Sequence, residues 1–179
     1  MKIVCIGDSV TTGQLIPLAQ GWTSVLATRL PEHTIVNKGV NNDTTRRALE
    51  RFPKDVQAEH PDVVVIQFGH NDCNRWATDH GLTRVSLPAF RANLEEMVER
   101  CEAFAVKEVV FLAPYPTRLP GEYERDRREY ELAVLAGSRP GVSAFTPYPG
   151  PGGLLDDGIH LSVWGHRAYA AQVRVWLRS

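Results

Sequence analysis

Three observations predict an α/β fold in which a parallel sheet is covered by helices on both faces. Short apolar, β-branched runs alternate along the chain with longer segments of helical period. The runs at Val63 to Phe68 and Glu108 to Ala113 are nearly continuous in apolar residues, as strands buried on both faces are. The length of 179 residues fits one domain, 1–179, and suffices to bury a real hydrophobic core.

Five strands are expected, at Lys2 to Ile6, Thr34 to Asn37, Val63 to Phe68, Glu108 to Ala113 and Val142 to Phe145. Trp22, Val25, Leu26 and Leu30 recur at helical spacing between the first two. Leu49, Phe52 and Val56 continue that period, but Pro53 falls among them and is expected to kink the helix or to start a second one. Phe90, Leu94, Met97, Val98 and Cys101 follow Ser86 and Pro88, a helix-start signal. Tyr123 to Ala136 is so rich in charge that it reads as a solvated helix. Pro147 to Gly153 can form no regular element and reads as an exposed loop. Val163, Ala170, Val173 and Leu177 mark a closing helix with Ser162 as its cap.

A formal net charge of -1 leaves no electrostatic footprint for nucleic acid or an anionic membrane, so a small neutral or mixed substrate is expected. Cys5, Cys73 and Cys101 are odd in number and widely spaced, with no zinc-ligand pattern; a reduced, cytoplasmic setting is the simplest reading. The apolar start, Met1 to Ile6, is too short for a signal sequence, and no later stretch is long enough to span a bilayer.

Gly7-Asp8-Ser9 directly follows the first strand and places a serine hydroxyl where open α/β sheets bind ligands. Serine is a poor nucleophile until a neighbouring base takes its proton. Asp157-Gly158-Ile159-His160 offers a base and a carboxylate to orient it, at a spacing a turn can close. Acyl transfer also needs donors aimed at an oxyanion, and Gly69-His70-Asn71-Asp72, after the third strand, can present the Asn71 amide.

In this order the motifs resemble the SGNH (GDSL-type) hydrolase family, over essentially the whole chain, with features of its thioesterase and lysophospholipase branch. The resemblance implies a three-layer α/β/α, flavodoxin-like fold with sheet order 2-1-3-4-5, which sets Ser9 beside Asn71. It implies a carboxylic ester hydrolase that needs no cofactor or metal, with Ser9 as nucleophile, His160 as general base and Asp157 orienting it. Ser9, through its own N–H, and Asn71, through its side chain, are implied as oxyanion donors. The family's second-block glycine is met here by Asn42, in Asn42-Asp43-Thr44. The role needs only a backbone N–H and tolerance of left-handed angles, which asparagine has, so Asn42 takes it, with Gly39 as the alternative register.

A lone Gly-Asp-Ser is common in turns, His160 alone reads equally as a surface histidine, and Asn71 alone as a cap. Their ordered combination shifts the balance to catalysis. Asp8 and Asp72 are expected to organise their loops, and His166 to pack or hydrogen-bond on the closing helix. Cys73 is read as packing. Trp76 and Tyr115 lie on loops bordering the site and are expected to bind substrate, with Trp76 reading equally as loop core. Rival readings are a metal-dependent phosphohydrolase using Asp8, Asn71, Asp72, Asp157, His160 and His166, a nucleotide-binding module, and a binding protein without turnover. The phosphohydrolase lacks its Asp-x-His after the first strand, and the nucleotide module lacks a phosphate-loop pattern.

Overall fold

In the computed structural model, which describes residues 1–177, the five strands are β1 (Lys2–Gly7), β2 (Thr34–Gly39), β3 (Val63–Gln67), β4 (Glu108–Leu112) and β5 (Val142–Phe145). They form one all-parallel sheet in the order β2-β1-β3-β4-β5. Among the described residues six α-helices accompany them: α1 (Ser9–Thr12), α2 (Trp22–Arg29), α3 (Thr45–Asp55), α4 (Leu87–Ala103) and α5 (Gly121–Leu135) between strands, and α6 (Val163–Trp176) after β5.

Successive side chains of a strand point to opposite faces, and this alternation divides the core in two. Val4, Ile6, Val64, Ile66, Val109 and Phe111 join Phe52 of α3, Phe90 and Met97 of α4 and Tyr130 of α5 in one buried cluster. Ile3, Cys5, Val63, Val65, Val110 and Leu112 join Trp22 and Leu26 of α2 and Tyr169 and Val173 of α6 in the other. The result is the three-layer α/β/α arrangement of the SGNH fold. Its strand order reverses between β1 and β3, and the loops leaving those two strands flank the crevice that such sheets use for ligands.

Local signals set the helix starts: Ser86 accepts from the Ala89 N–H ahead of α4, and Ser162 from the Gly165 N–H ahead of α6. Two expectations need correction. One helix, Thr45–Asp55, runs through Pro53, so no second helix starts there, and the 3₁₀ turn Gln57–Glu59 follows it. Ala48 and Phe52, both fully buried, hold that last turn against the sheet. The charged segment 121–135 is not a solvated helix. Asp126, Arg127 and Glu131 are buried on it, with Arg127 paired to Glu124 at 2.9 Å and to Glu131 at 2.8 Å. Among the described residues no helix is long and apolar enough to cross a membrane.

Candidate active site

Ser9 opens α1 immediately beyond β1, and Asp8 supplies the cap that starts this helix: its Oδ1 accepts the Val10 N–H at 2.9 Å. The base arrives from the far end of the chain. Asp157 Oδ1 accepts the N–H groups of Ile159 and His160, both at 3.0 Å, folding residues 157–160 into a tight turn. The other oxygen, Oδ2, lies 2.6 Å from His160 Nδ1, and His160 Nε2 lies 3.1 Å from Ser9 Oγ. A carboxylate on Nδ1 fixes the tautomer that leaves Nε2 free to accept the serine proton. Partial burial works against ionised Asp157, but the Ile159 N–H, the His160 ring and the His160 N–H outweigh it and hold the carboxyl below its usual value.

The other two histidines near the site are kept neutral. Burial, helped by Arg127 and His160, pushes His70 down to about 3, and burial with His160 pushes His166 down to about 4. His166 Nδ1 accepts the Trp22 N–H at 3.1 Å, the hydrogen-bonding alternative expected of it. His70 packs its ring on Tyr115 at 4.4 Å between centroids and places Nδ1 3.2 Å from the Tyr123 hydroxyl. Cys73 is buried, its thiol pushed up to about 12 by that burial.

The three donors expected to receive an oxyanion are not engaged by other described residues. Asn71 Nδ2 is buried without a hydrogen-bond partner. The N–H of Ser9 precedes the first bonded donors of α1, and that of Asn42 bonds to no described residue. Asn42 sits at φ +62°, the left-handed conformation expected at this block, and is held there by Arg84, whose guanidinium donates to Asn42 Oδ1 at 2.8 Å and to its carbonyl at 3.1 Å. Gly39, the alternative register, has its N–H engaged by Asn37 Oδ1 at 2.8 Å. A Cβ there would lie 2.3 Å from the Thr12 nitrogen, so its glycine serves the close passage of β2 beside α1.

Trp76, partly exposed, lies 4.2 Å from the Arg84 guanidinium in a cation–π contact, next in line behind Asn42. Tyr115 needs correcting: it is fully buried and its hydroxyl donates to the Ile159 carbonyl at 2.8 Å, so it faces no substrate. Sequence reasoning missed Arg84, and also Arg51, which pairs with Asp43 at 2.7 Å and donates to the carbonyls of Gly7 and Lys38, tying the ends of β1 and β2 to α3. Neither arginine belongs to a motif, and the contacts that matter at the site, Arg84 to Asn42 and Arg51 to Gly7, span 42 and 44 residues. The donors weighed for a metal do not converge, and no group of three or more His, Cys, Asp or Glu able to hold an ion occurs among the described residues.

Behind Ser9 lie two fully buried carboxyls. Burial is the main cause that raises Asp8 to about 7 and Asp72 to about 6, and each leaves one oxygen unpartnered. Asp72 Oδ1 accepts the Thr45 N–H at 2.9 Å and the Thr45 hydroxyl at 2.6 Å, tying the loop after β3 to the start of α3. Because folding raises both carboxyls above 3.8, their stabilisation is complete below that pH and is lost as pH rises through about 6 to 7. Each contributes a slope of up to about 1.4 kcal/mol per pH unit within that window. Asp8→Asn keeps an acceptor for the Val10 N–H and removes one titration. His70 and His166, held low, add stability over part of the same range in both proteins, so urea unfolding at pH 5, 6, 7 and 8 is expected to show the stability of Asp8→Asn rising relative to the wild type up to about pH 7; a difference that does not change with pH would contradict the assignment.

A hydroxyl, an imidazole and a carboxylate hydrogen-bonded in line at the carboxyl edge of a parallel sheet define the class of α/β/α hydrolases. The chain belongs to the GDSL-like lipase/acylhydrolase family, whose model matches residues 5–168, and it is accordingly a carboxylic ester hydrolase. It is 32% identical over 170 residues to an arylesterase of Vibrio mimicus, spanning 89% of this chain and 79% of that protein. It is 26% identical over 212 residues to an acetylxylan esterase of Geobacillus stearothermophilus, spanning 99% and 96%. Among solved structures it resembles a lipase/acylhydrolase from Enterococcus faecalis with a TM-score of 0.84 and 26% identity, covering 99% of this chain and 95% of that one.

Proposed function

We propose that this esterase cleaves short-acyl esters of a small alcohol, phenol or sugar through a Ser9–His160–Asp157 triad. The observation that carries the reading is the His160 ring, which reaches Ser9 Oγ with one nitrogen and the Asp157 carboxylate with the other. Ser9 Oγ attacks the ester carbonyl while His160 Nε2 takes its proton, and Asp157 stabilises the imidazolium. The oxyanion of the tetrahedral intermediate is received by the Ser9 and Asn42 N–H groups and by Asn71 Nδ2. Collapse expels the alkoxide, which His160 protonates. Water, deprotonated by the same imidazole, then attacks the acyl-enzyme, releasing the carboxylic acid and restoring Ser9.

Short acyl groups are favoured by a chain with little room for a lid or a long acyl tunnel, and by the names of its relatives, an arylesterase and an acetylxylan esterase. The test is a panel of p-nitrophenyl esters from C2 to C12, with acetylated xylo-oligosaccharides and acyl-CoA alongside. The expected kcat/KM is highest at C2 to C4 and falls by C8. A maximum at C10 to C12, or a preference for the thioester, would replace the short-acyl assignment with lysophospholipase or thioesterase specificity.

A further inference from the structure

The turn that carries His160 is held from outside by a loop that belongs to no motif. Three consecutive carbonyls of that turn each have one donor: Gly158 receives the Arg118 N–H at 2.8 Å, Ile159 the Tyr115 hydroxyl at 2.8 Å, and His160 the Leu155 N–H at 2.8 Å. Two of the three donors come from the loop after β4. The Arg118 guanidinium also donates to the Leu155 carbonyl. Tyr115 is the only one of these donors whose reach is fixed by a fully buried ring, packed on His70 at 4.4 Å and edge-on to Tyr169 at 6.1 Å.

That loop is in turn fixed to α5 by the buried charges that the sequence disguised as a solvated face. Arg127 donates to the Pro114 carbonyl at 2.7 Å, while Glu124 accepts the Thr117 N–H at 2.9 Å and the Thr117 hydroxyl at 2.5 Å. Glu131, Arg127's second partner, also accepts the Thr146 hydroxyl at 2.8 Å, beyond β5. The charges hold the loop, the loop holds the turn, and the turn holds the imidazole. Asp157 sets the rotation of the His160 ring but moves with it, being three residues away on the same turn. The distance from His160 to Ser9, 151 residues earlier, therefore depends on an anchor outside the turn.

We propose that Tyr115 is a positioning residue for ester hydrolysis: through the Ile159 carbonyl, its hydroxyl sets the His160 ring at proton-transfer distance from Ser9. The inference rests on the triad reading above. A displacement of about 1 Å in such a constellation costs on the order of 10²-fold in rate, and loss of one of three anchors is expected to cost less.

Tyr115→Phe removes the hydroxyl and leaves the ring. It is expected to lower kcat for p-nitrophenyl acetate about 10-fold with KM within twofold and thermal midpoint within a few degrees. The rate at which a fluorophosphonate labels Ser9 should fall by the same factor, a change that a merely structural tyrosine would not produce in a folded protein. If Tyr115→Phe folds only in part, the extent of fluorophosphonate labelling counts the folded sites, and kcat per labelled site carries the test. Wild-type kcat and labelling rate in folded Tyr115→Phe would overturn the proposal while leaving the triad standing, and so would a loss expressed only in KM. A wild-type enzyme that fluorophosphonate does not label would instead remove the triad reading, and this inference with it.

Discussion

Replacing Ser9 by alanine is expected to lower kcat for p-nitrophenyl acetate by on the order of 10⁴-fold or more, about 5.4 kcal/mol of transition-state stabilisation. The nucleophile is lost outright, whereas the fold loses little. Ser9 is buried, but its side chain makes one hydrogen bond, to His160, and a change of about 1 kcal/mol in stability is the expected cost. Because the three side chains work as a unit, His160→Ala should be about as damaging as Ser9→Ala, and the double variant little worse than either. Steady-state rates, with mass spectrometry of the acyl-enzyme trapped at low pH, make the check. Retention of more than a tenth of the activity by folded Ser9→Ala, or losses that multiply in the double variant, would show that the 3.1 Å contact is not a catalytic one.

The sequence exposed the parts of this molecule that obey local rules. Val63–Gln67 is legible as a central strand because burial on both faces demands apolar residues at nearly every position, which Val63 to Ile66 supply. β2 was read short: Lys38 and Gly39 join the sheet through backbone pairing with Ile6 and Gly7, which their side chains do not announce. Ser9, Asn71, Asp157 and His160 stand in turns whose own residues mark them, so candidates 151 positions apart could be named together. What could not be read is what lies between turns. The Arg127–Glu124 and Arg127–Glu131 pairs have the i,i+3 and i,i+4 spacing of a solvated helix ladder, yet Arg127 and Glu131 are buried and Glu124 half-buried beside the loop they hold. Tyr115 reads as a substrate contact from sequence because its loop borders the site, whereas its partner carbonyl lies 44 residues further along.

Asn71 shows why such a site is maintained at some cost to the fold. Its Nδ2 is a buried donor without a partner, an arrangement that costs a protein about 1–3 kcal/mol when nothing offsets it. If the donor is there to receive a developing oxyanion, Asn71→Ala should lower kcat by about 10²- to 10³-fold with little change in KM, since the bond is strongest at the transition state. The same substitution should leave thermal stability unchanged or slightly raised, because it removes an unsatisfied group. Asn71→Asp keeps the shape but turns the donor towards an acceptor, often negatively charged, and is expected to lose at least as much activity. Measured together, the rate loss and the stability gain separate this role from the alternative in which Asn71 caps its loop. A cap would give the opposite pair of results, lower stability with a modest rate effect, and an effect confined to KM would place the amide in ground-state binding.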